Sequence, residues 1–136
     1  MKSILITGAN IVNEGKITLA DIFVKEGMIH KIGPDLSDFE ADIRIDASGK
    51  YVFPGLIDDQ VHFREPGLTH KEDLHCATRA CAKGGVTSFL EMPNTKPTTT
   101  TLQALDQKLA IAAQKCHVNY GFYIGATPDN LDVLQA

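Results

Sequence analysis

The feature that most constrains the fold is a change of pattern at Pro54. Before it, short β-rich runs alternate with turn residues; after it, apolar runs of strand length alternate with helix-like repeats. Strands that alternate with helices indicate parallel βα units, whereas short strands joined by tight turns indicate an antiparallel sheet. The sequence therefore predicts two parts of different architecture, residues 1–53 and residues 54–136.

The first part is predicted to form a small antiparallel sheet. Its β-rich runs are Ser3–Thr7, Asp21–Val24, Met28–Ile32 and Asp42–Ile45. The segment Lys25-Glu26-Gly27 between the second and third runs is typical of a hairpin, because its glycine supplies the positive φ that tight turns need.

The second part is predicted to hold three parallel strands, at residues 55–63, 86–92 and 118–124. A first helix is predicted from about Lys71 to Lys83, begun by a capping box at Thr69-His70-Lys71-Glu72. A second helix, capped within the run 98–101, continues to Ala112, and a third begins near Asp129. Three strands and two complete helices cannot close a barrel of eight βα units, which needs roughly 200 residues or more. We therefore expect the chain to be a piece of a longer protein.

Polar residues gather where the first of these strands ends. Because side chains alternate along a strand, Asp58, Gln60, His62 and Arg64 are predicted to share one face. Asp59 would join them only if the strand bulged. The next strand ends at Glu91-Met92-Pro93-Asn94-Thr95, and neighbouring strands of a barrel open onto one rim. This spacing predicts a polar site there, although an asparagine could equally serve a turn and an arginine a salt bridge to Glu65 or Asp58.

Composition and apolar patterning limit which binding partners and which cellular location we expect. The net charge of -4 and the absence of a basic run disfavour nucleic acid as a partner. No apolar run approaches the roughly 20 residues of a membrane span, and the N-terminus lacks a signal sequence, so we expect a cytoplasmic protein. The cysteines, which are odd in number and form no CxxC pair, are expected to be small buried residues on helices. They are Cys76, Cys81 and Cys116.

Several segments, in order, resemble the dihydroorotases of the amidohydrolase superfamily. They are Pro54-Gly55-Leu56-Ile57-Asp58, Val61-His62-Phe63-Arg64-Glu65-Pro66-Gly67, Gly84-Gly85-Val86-Thr87 and Met92-Pro93-Asn94-Thr95. Residues 22–34 and 46–50 also resemble the small β-sandwich that precedes the barrel in that superfamily. The resemblance implies an α/β fold in which a TIM barrel follows a small N-terminal β-sandwich, with only the first barrel strands and helices present here.

The resemblance also implies a reaction and a set of site residues. Dihydroorotases interconvert dihydroorotate and N-carbamoyl-L-aspartate in pyrimidine synthesis, using one or two zinc ions that activate water. The family's His-x-His motif binds metal, and its second histidine corresponds to His62. Arg64 and Asn94 correspond to residues that hold the substrate carboxylate, and allantoinase-like and hydantoinase-like sequences differ at these two positions. The catalytic aspartate and the remaining ligands would follow Ala136, so the chain alone is expected to be inactive.

Gln60 departs from the family pattern, because it stands where the first histidine of the metal motif is expected. A glutamine offers zinc only a neutral carbonyl oxygen, so one metal position should be weakened or lost. This departure keeps a second hypothesis open: a non-catalytic dihydroorotase-like subunit that serves as a structural partner of aspartate carbamoyltransferase. For the enzyme itself, a homodimer is the expected assembly.

Overall fold

A computed structural model describes residues 1–135. The chain divides into two compact units, Met1–Pro54 and a second unit that starts at Gly55. The division lies one residue from the boundary predicted at residues 53 and 54. The sequence change at Pro54 therefore coincides with a structural one.

The first unit is built on one five-stranded sheet. Its strands are β1 (Ile4–Asn13), β2 (Lys16–Lys25), β3 (Met28–Gly33), β4 (Ile43–Asp46) and β5 (Tyr51–Val52). The order is β3-β2-β1-β4, and β5 also pairs with β1. Strands β1, β2 and β3 are antiparallel, but β4 and β5 lie parallel to β1. The prediction of a purely antiparallel sheet is wrong, because residues 34–42 cross over to the far edge of β1 instead of turning back beside β3.

The predicted hairpin between β2 and β3 is confirmed. Its two turn residues, Glu26 and Gly27, have φ values of 55° and 78°, which the tight turn requires. Leu5, Phe23 and Leu36 form the buried apolar cluster of this unit. The described residues of this unit supply one sheet, so the two-layered β-sandwich stays a prediction.

The second unit alternates strands and helices. Its elements are β6 (Leu56–Val61), α1 (Leu74–Gly84), β7 (Val86–Glu91), α2 (Leu102–Lys115), β8 (Asn119–Phe122) and α3 (Leu131–Gln135). The strands are parallel in the order β6-β7-β8, which confirms the predicted βα units. Val61, Leu74, Phe89 and Ala112 form its buried cluster. No closed barrel is present within residues 1–135.

Helix α1 begins three residues later than the sequence indicates. The predicted capping box at residues 69–72 is wrong, because Asp73 is the N-cap and accepts a hydrogen bond from the Cys76 amide at 2.8 Å. The buried side chain of Glu65 accepts a second one from the Leu74 amide at 3.0 Å. These two carboxylates satisfy free amides of the first turn, so the helix needs no threonine cap. The predicted threonine cap of α2 is confirmed at Thr101.

Two further expectations can be compared with the structure. The cysteines are not buried core residues as a group: Cys76 is exposed, and Cys81 and Cys116 are half-buried. None of the helices in residues 1–135 is long and apolar enough to cross a membrane.

Candidate functional site

The C-terminal end of β6 is not a regular strand. Its pairing with β7 slips by one residue, because Asp58 lies opposite Phe89 whereas Val61 lies opposite Glu91. An extra residue in one strand of a pair is a β-bulge, which changes the direction of the side chains around it. The carboxylate of Asp58 stabilises this bulge by accepting a hydrogen bond from the Gln60 amide at 3.2 Å. Simple alternation from Asp58 to Arg64 therefore fails here.

A cleft of about 480 Å³ lies at the C-terminal ends of the three parallel strands. It is lined by Asp59, Gln60, Met92, Pro93, Tyr123, Ile124 and Gly125. Asp59 and Gln60 both contribute to it, as the bulge allows, although a regular strand would separate them. The Tyr123 hydroxyl donates a hydrogen bond to the Asp59 carbonyl at 3.2 Å, which ties the third strand's end to the bulge. Parallel βα folds place their sites at this end of the strands.

Two of the predicted site residues contact each other beside the cleft. The Nδ1 atom of His62 lies 2.9 Å from Oδ1 of Asn94. An amide oxygen only accepts hydrogen bonds, so Nδ1 of His62 donates this one and Nε2 is left for another partner. The contact also leaves the Asn94 amide nitrogen available as a donor. Neither strand alone predicts this contact, because it joins residues 32 positions apart.

Arg64 lies beyond the end of β6 and does not continue a row with Asp58 and Gln60. Its φ of 65° is in the left-handed region, so the backbone turns over after the strand instead of extending it. Its side chain is half-buried. The alternative of a salt bridge from Arg64 to Glu65 or Asp58 is wrong, because the ion pairs within residues 1–135 are Lys108–Glu91 and Lys115–Glu65.

A buried ion pair lies behind the strand ends, and the sequence interpretation missed it. Lys108 of α2 places Nζ 2.8 Å from Oε2 of Glu91, with side chains only 1% and 0% exposed. The ammonium also lies 4.8 Å from the centre of the Phe122 ring. Burial raises the pKa of Glu91, while Lys108 and the amides of Phe63 and Arg64 oppose the rise. One signal could have revealed the pair: Lys108 precedes the buried Ala112 by four residues, on the buried face of the helix.

Residues 49–130 match the family model described as dihydro-orotase-like, which is more than half of the chain. The chain belongs to the dihydro-orotase-like family. A dihydroorotase of Methanosarcina mazei is 39% identical over 127 residues, and an allantoinase of Deinococcus radiodurans is 38% identical over 132 residues. These alignments cover 93% and 96% of this chain.

A solved structure of L-hydantoinase from Arthrobacter aurescens is similar to this dihydro-orotase-like chain with a TM-score of 0.94. Sequence identity is 38%, and the match covers 99% of this chain but 30% of that one. The chain spans 28% and 29% of the two curated relatives named above. Relatives named for three different cyclic amides are thus similarly close, so similarity alone does not select among them.

Metal ligands are expected in this family, so the donors present here can be tested for fit. No group of three or more His, Cys, Asp or Glu side chains that could hold a metal ion occurs within residues 1–135. His62 offers one nitrogen, and Gln60 offers a neutral oxygen where an imidazole is expected. Zinc sites in proteins use at least three side chains. The donor side chains within residues 1–135 therefore do not fit a complete zinc site. In β6 the cause is Gln60, which stands where an imidazole is expected.

Proposed function

We propose that this chain is the N-terminal segment of a dihydroorotase, which hydrolyses the ring amide of dihydroorotate to N-carbamoyl-L-aspartate and reverses the reaction. Its relatives are named for cyclic amide hydrolysis, and that reaction class is common to dihydroorotase, allantoinase and hydantoinase. The substrates differ chemically: dihydroorotate carries a ring carboxylate, whereas the parent hydantoin and allantoin carry none. The residue that would bind a carboxylate is therefore the useful discriminator.

The observation that carries the proposal is that Arg64 has no ionic partner within residues 1–135. Arg64 is half-buried, and its guanidinium takes part in neither ion pair of the described residues, which are Lys108–Glu91 and Lys115–Glu65. The nearest carboxylate in sequence, Glu65, is occupied by Lys115. A half-buried arginine without an ionic partner in the protein is suited to hold a substrate carboxylate through two parallel hydrogen bonds.

Asn94 supports the same assignment through its own hydrogen bond. Its Oδ1 is engaged by His62, so the group left for a ligand is the amide nitrogen, which is a donor. Both an amide donor and a guanidinium without a carboxylate partner suit an anionic oxygen. Hydrolysis adds water across the ring C–N bond, so the substrate must be oriented with its carbonyl toward the attacking oxygen. We assign Arg64 and Asn94 to that orientation and His62 to the edge of the reacting centre.

Activity assays of the longer protein that continues this chain test the proposal. Arg64→Ala should raise the KM for dihydroorotate about 10- to 100-fold, the loss expected for hydrogen bonds to a charged group. Arg79→Ala is the matched control, because Arg79 is an exposed arginine on α1. An unchanged KM in Arg64→Ala, or no turnover of dihydroorotate by the unmodified protein, would refute the proposal.

Hydantoin hydrolysis is a second candidate, favoured by the TM-score of 0.94 to L-hydantoinase. In that case Arg64 would have no carboxylate to bind. The same longer protein should then consume a hydantoin and leave dihydroorotate unchanged, and Arg64→Ala should have little effect on the hydantoin KM. Comparing both substrates with the same two variants separates the candidates.

A third candidate is a non-catalytic subunit that binds aspartate carbamoyltransferase, which Gln60 favours because it removes an imidazole from the expected metal motif. The discriminating measurement is metal content. Less than one zinc per chain, together with no turnover of either substrate, would favour this candidate. Gln60→His should raise the zinc content if the end of β6 still faces a metal position; an unchanged content would indicate that the bulge has remodelled it.

A further inference from the structure

The loops that follow β6 and β7 contact each other through their backbones. The Lys96 amide donates a hydrogen bond to the Pro66 carbonyl at 3.1 Å. Next to this bond, Gly67 lies so close to Lys96 that no side chain fits: a Cβ atom on Gly67 would overlap the Lys96 carbonyl oxygen and lie 2.9 Å from the carbonyl carbon. Glycine is the residue that allows so close an approach of two backbones. We call this contact of Pro66 and Gly67 with Lys96 the loop junction.

On the β6 side, the junction is part of the turn that begins at Arg64. The Leu68 amide donates a hydrogen bond to the Arg64 carbonyl at 3.0 Å, so residues 64–68 form one closed turn that contains Gly67. Arg64 and Gly67 both have a left-handed φ, 65° and 83°. A hydrogen-bonded turn of five residues moves largely as a unit, so a displacement of Gly67 is expected to displace Arg64.

On the β7 side, a buried threonine joins the junction to Asn94. Thr95 is 3% exposed, its amide donates to the Pro93 carbonyl at 2.9 Å, and its hydroxyl donates to the Pro97 carbonyl at 2.9 Å. These two bonds hold residues 93–97 together, with Asn94 on one side of Thr95 and Lys96 on the other. A displacement of Lys96 is therefore expected to displace Asn94.

We propose that the loop junction sets the spacing of Arg64 and Asn94, and that Gly67 is the positioning residue that permits this spacing. The inference rests on the proposed function, in which these two side chains hold one substrate carboxylate. Hydrogen bonds to an anionic oxygen depend steeply on distance and angle, so two donors on different strands need a fixed separation. The pairing of β6 with β7 slips before their ends, and the loop junction supplies a second connection beyond that irregularity.

Steady-state kinetics of the longer protein that continues this chain, with dihydroorotate as the substrate, test the inference through Gly67→Ala. The added methyl group would push Lys96 away, so the KM should rise about 10-fold. The kcat should change less than about threefold, because the junction serves substrate binding. This division between KM and kcat is not expected from a general loss of stability.

Gly85→Ala is the matched control. Gly85 has a φ of 85°, close to that of Gly67, but a Cβ atom there would meet nothing within 4 Å. The control therefore introduces the same backbone strain without the steric overlap, and its KM should equal that of the unmodified protein. Urea unfolding of both variants checks that each is folded under the assay conditions.

A double-variant cycle tests whether Gly67 acts through Arg64. In an Arg64→Ala background, Gly67→Ala should raise the KM further by no more than about threefold, because one of the two positioned residues is already missing. A further rise of about 10-fold would show that Gly67 acts independently of Arg64 and would overturn the inference.

The remaining outcomes are also decisive. An unchanged KM in a folded Gly67→Ala, or equal rises in Gly67→Ala and Gly85→Ala, would overturn the inference and leave the proposed function standing. No turnover of dihydroorotate by the unmodified protein would refute the proposed function and this inference together.

Thr95→Val provides a second variant in case Gly67→Ala does not fold. It keeps the shape of the side chain and removes the bond to the Pro97 carbonyl, so the KM should rise about threefold. Its control is Thr78→Val, which removes another buried hydroxyl, the one bonded to the Leu74 carbonyl within α1, and should leave the KM unchanged. Equal KM values in both threonine variants would overturn the inference.

Discussion

The ends of β6 and β7 are stabilised in different ways, although a glutamate near each end pairs with a lysine of α2: Glu91 is the last residue of β7, and Glu65 lies four residues after β6. Glu65 pairs with Lys115 and Glu91 with Lys108. The lysines are seven residues apart, which is about two helical turns, so they lie on one face of α2. Lys108 is 1% exposed, whereas Lys115 is 39% exposed. One helix thus contacts both strand ends, but through a buried pair at one and a partly solvated pair at the other.

The difference separates a regular strand end from an irregular one. The β7 end has regular pairing with β8 and a buried ion pair behind it. The β6 end has a bulge after Asp58 and a left-handed φ at Arg64, and its side chains at Asp59 and Gln60 line the cleft. Irregular backbone of this kind is common at functional sites, where it directs side chains that a regular strand would misplace. The regular end of β7, with its buried ion pair, lies beside that irregular end.

The largest expected effect comes from breaking the buried pair. Lys108→Met should lower the free energy of unfolding by about 3–5 kcal/mol, because it leaves the carboxylate of Glu91 buried without a counter-ion. Urea unfolding at pH 7 measures this loss. The double variant Lys108→Met/Glu91→Leu is the control and should regain most of the stability, since apolar residues can replace a buried ion pair. A loss below about 1 kcal/mol in the single variant would contradict burial of the pair.

The strand ends also show where prediction from sequence succeeds and where it stops. Periodicity located the βα units, and the threonine cap of α2 followed from local chemistry. The contact of His62 with Asn94, the pairing of Glu91 with Lys108 and the approach of His75 to His117 all join elements that are distant in sequence. The capping box failed for the same reason, because Glu65 reaches the α1 amides from a preceding loop.

The buried Glu91 at the end of β7 also predicts that the stability of the chain depends on pH. Burial raises the pKa of Glu91 above its ordinary value of 4.5, so the folded chain binds this proton more tightly than the unfolded chain does. The contribution of Glu91 to the free energy of unfolding is therefore present below pH 4.5 and is lost as the pH rises through the pKa that Glu91 has in the folded chain. The Glu91→Gln variant lacks this pH dependence. Its free energy of unfolding, minus that of the unmodified chain, should therefore increase as the pH rises. Urea unfolding of both proteins from pH 4 upward measures the difference, and a constant difference would contradict a raised pKa.

The conformation of Arg64 predicts a smaller effect at the irregular end. A residue with a φ of 65° tolerates glycine better than alanine, so Arg64→Gly should be about 1 kcal/mol more stable than Arg64→Ala. Thermal or urea unfolding of the two variants gives the difference directly. The matched control is Asp59, whose φ is not positive; there the alanine variant should be the more stable one. The same order at both positions would indicate that the backbone at Arg64 is not held in the left-handed region.

Breaking the pair between Lys115 and Glu65 should have the smallest effect. In Lys115→Met the Glu65 carboxylate keeps its hydrogen bond from the Leu74 amide, and solvent reaches the position vacated by the ammonium. We expect a loss of less than about a third of that in Lys108→Met, and this loss should shrink in high salt, which screens exposed pairs more than buried ones. Urea unfolding at low and high salt measures both quantities. Equal losses in the two lysine variants would mean that α2 stabilises both strand ends alike, and the bulge and the left-handed φ at Arg64 would then be what distinguishes the end of β6.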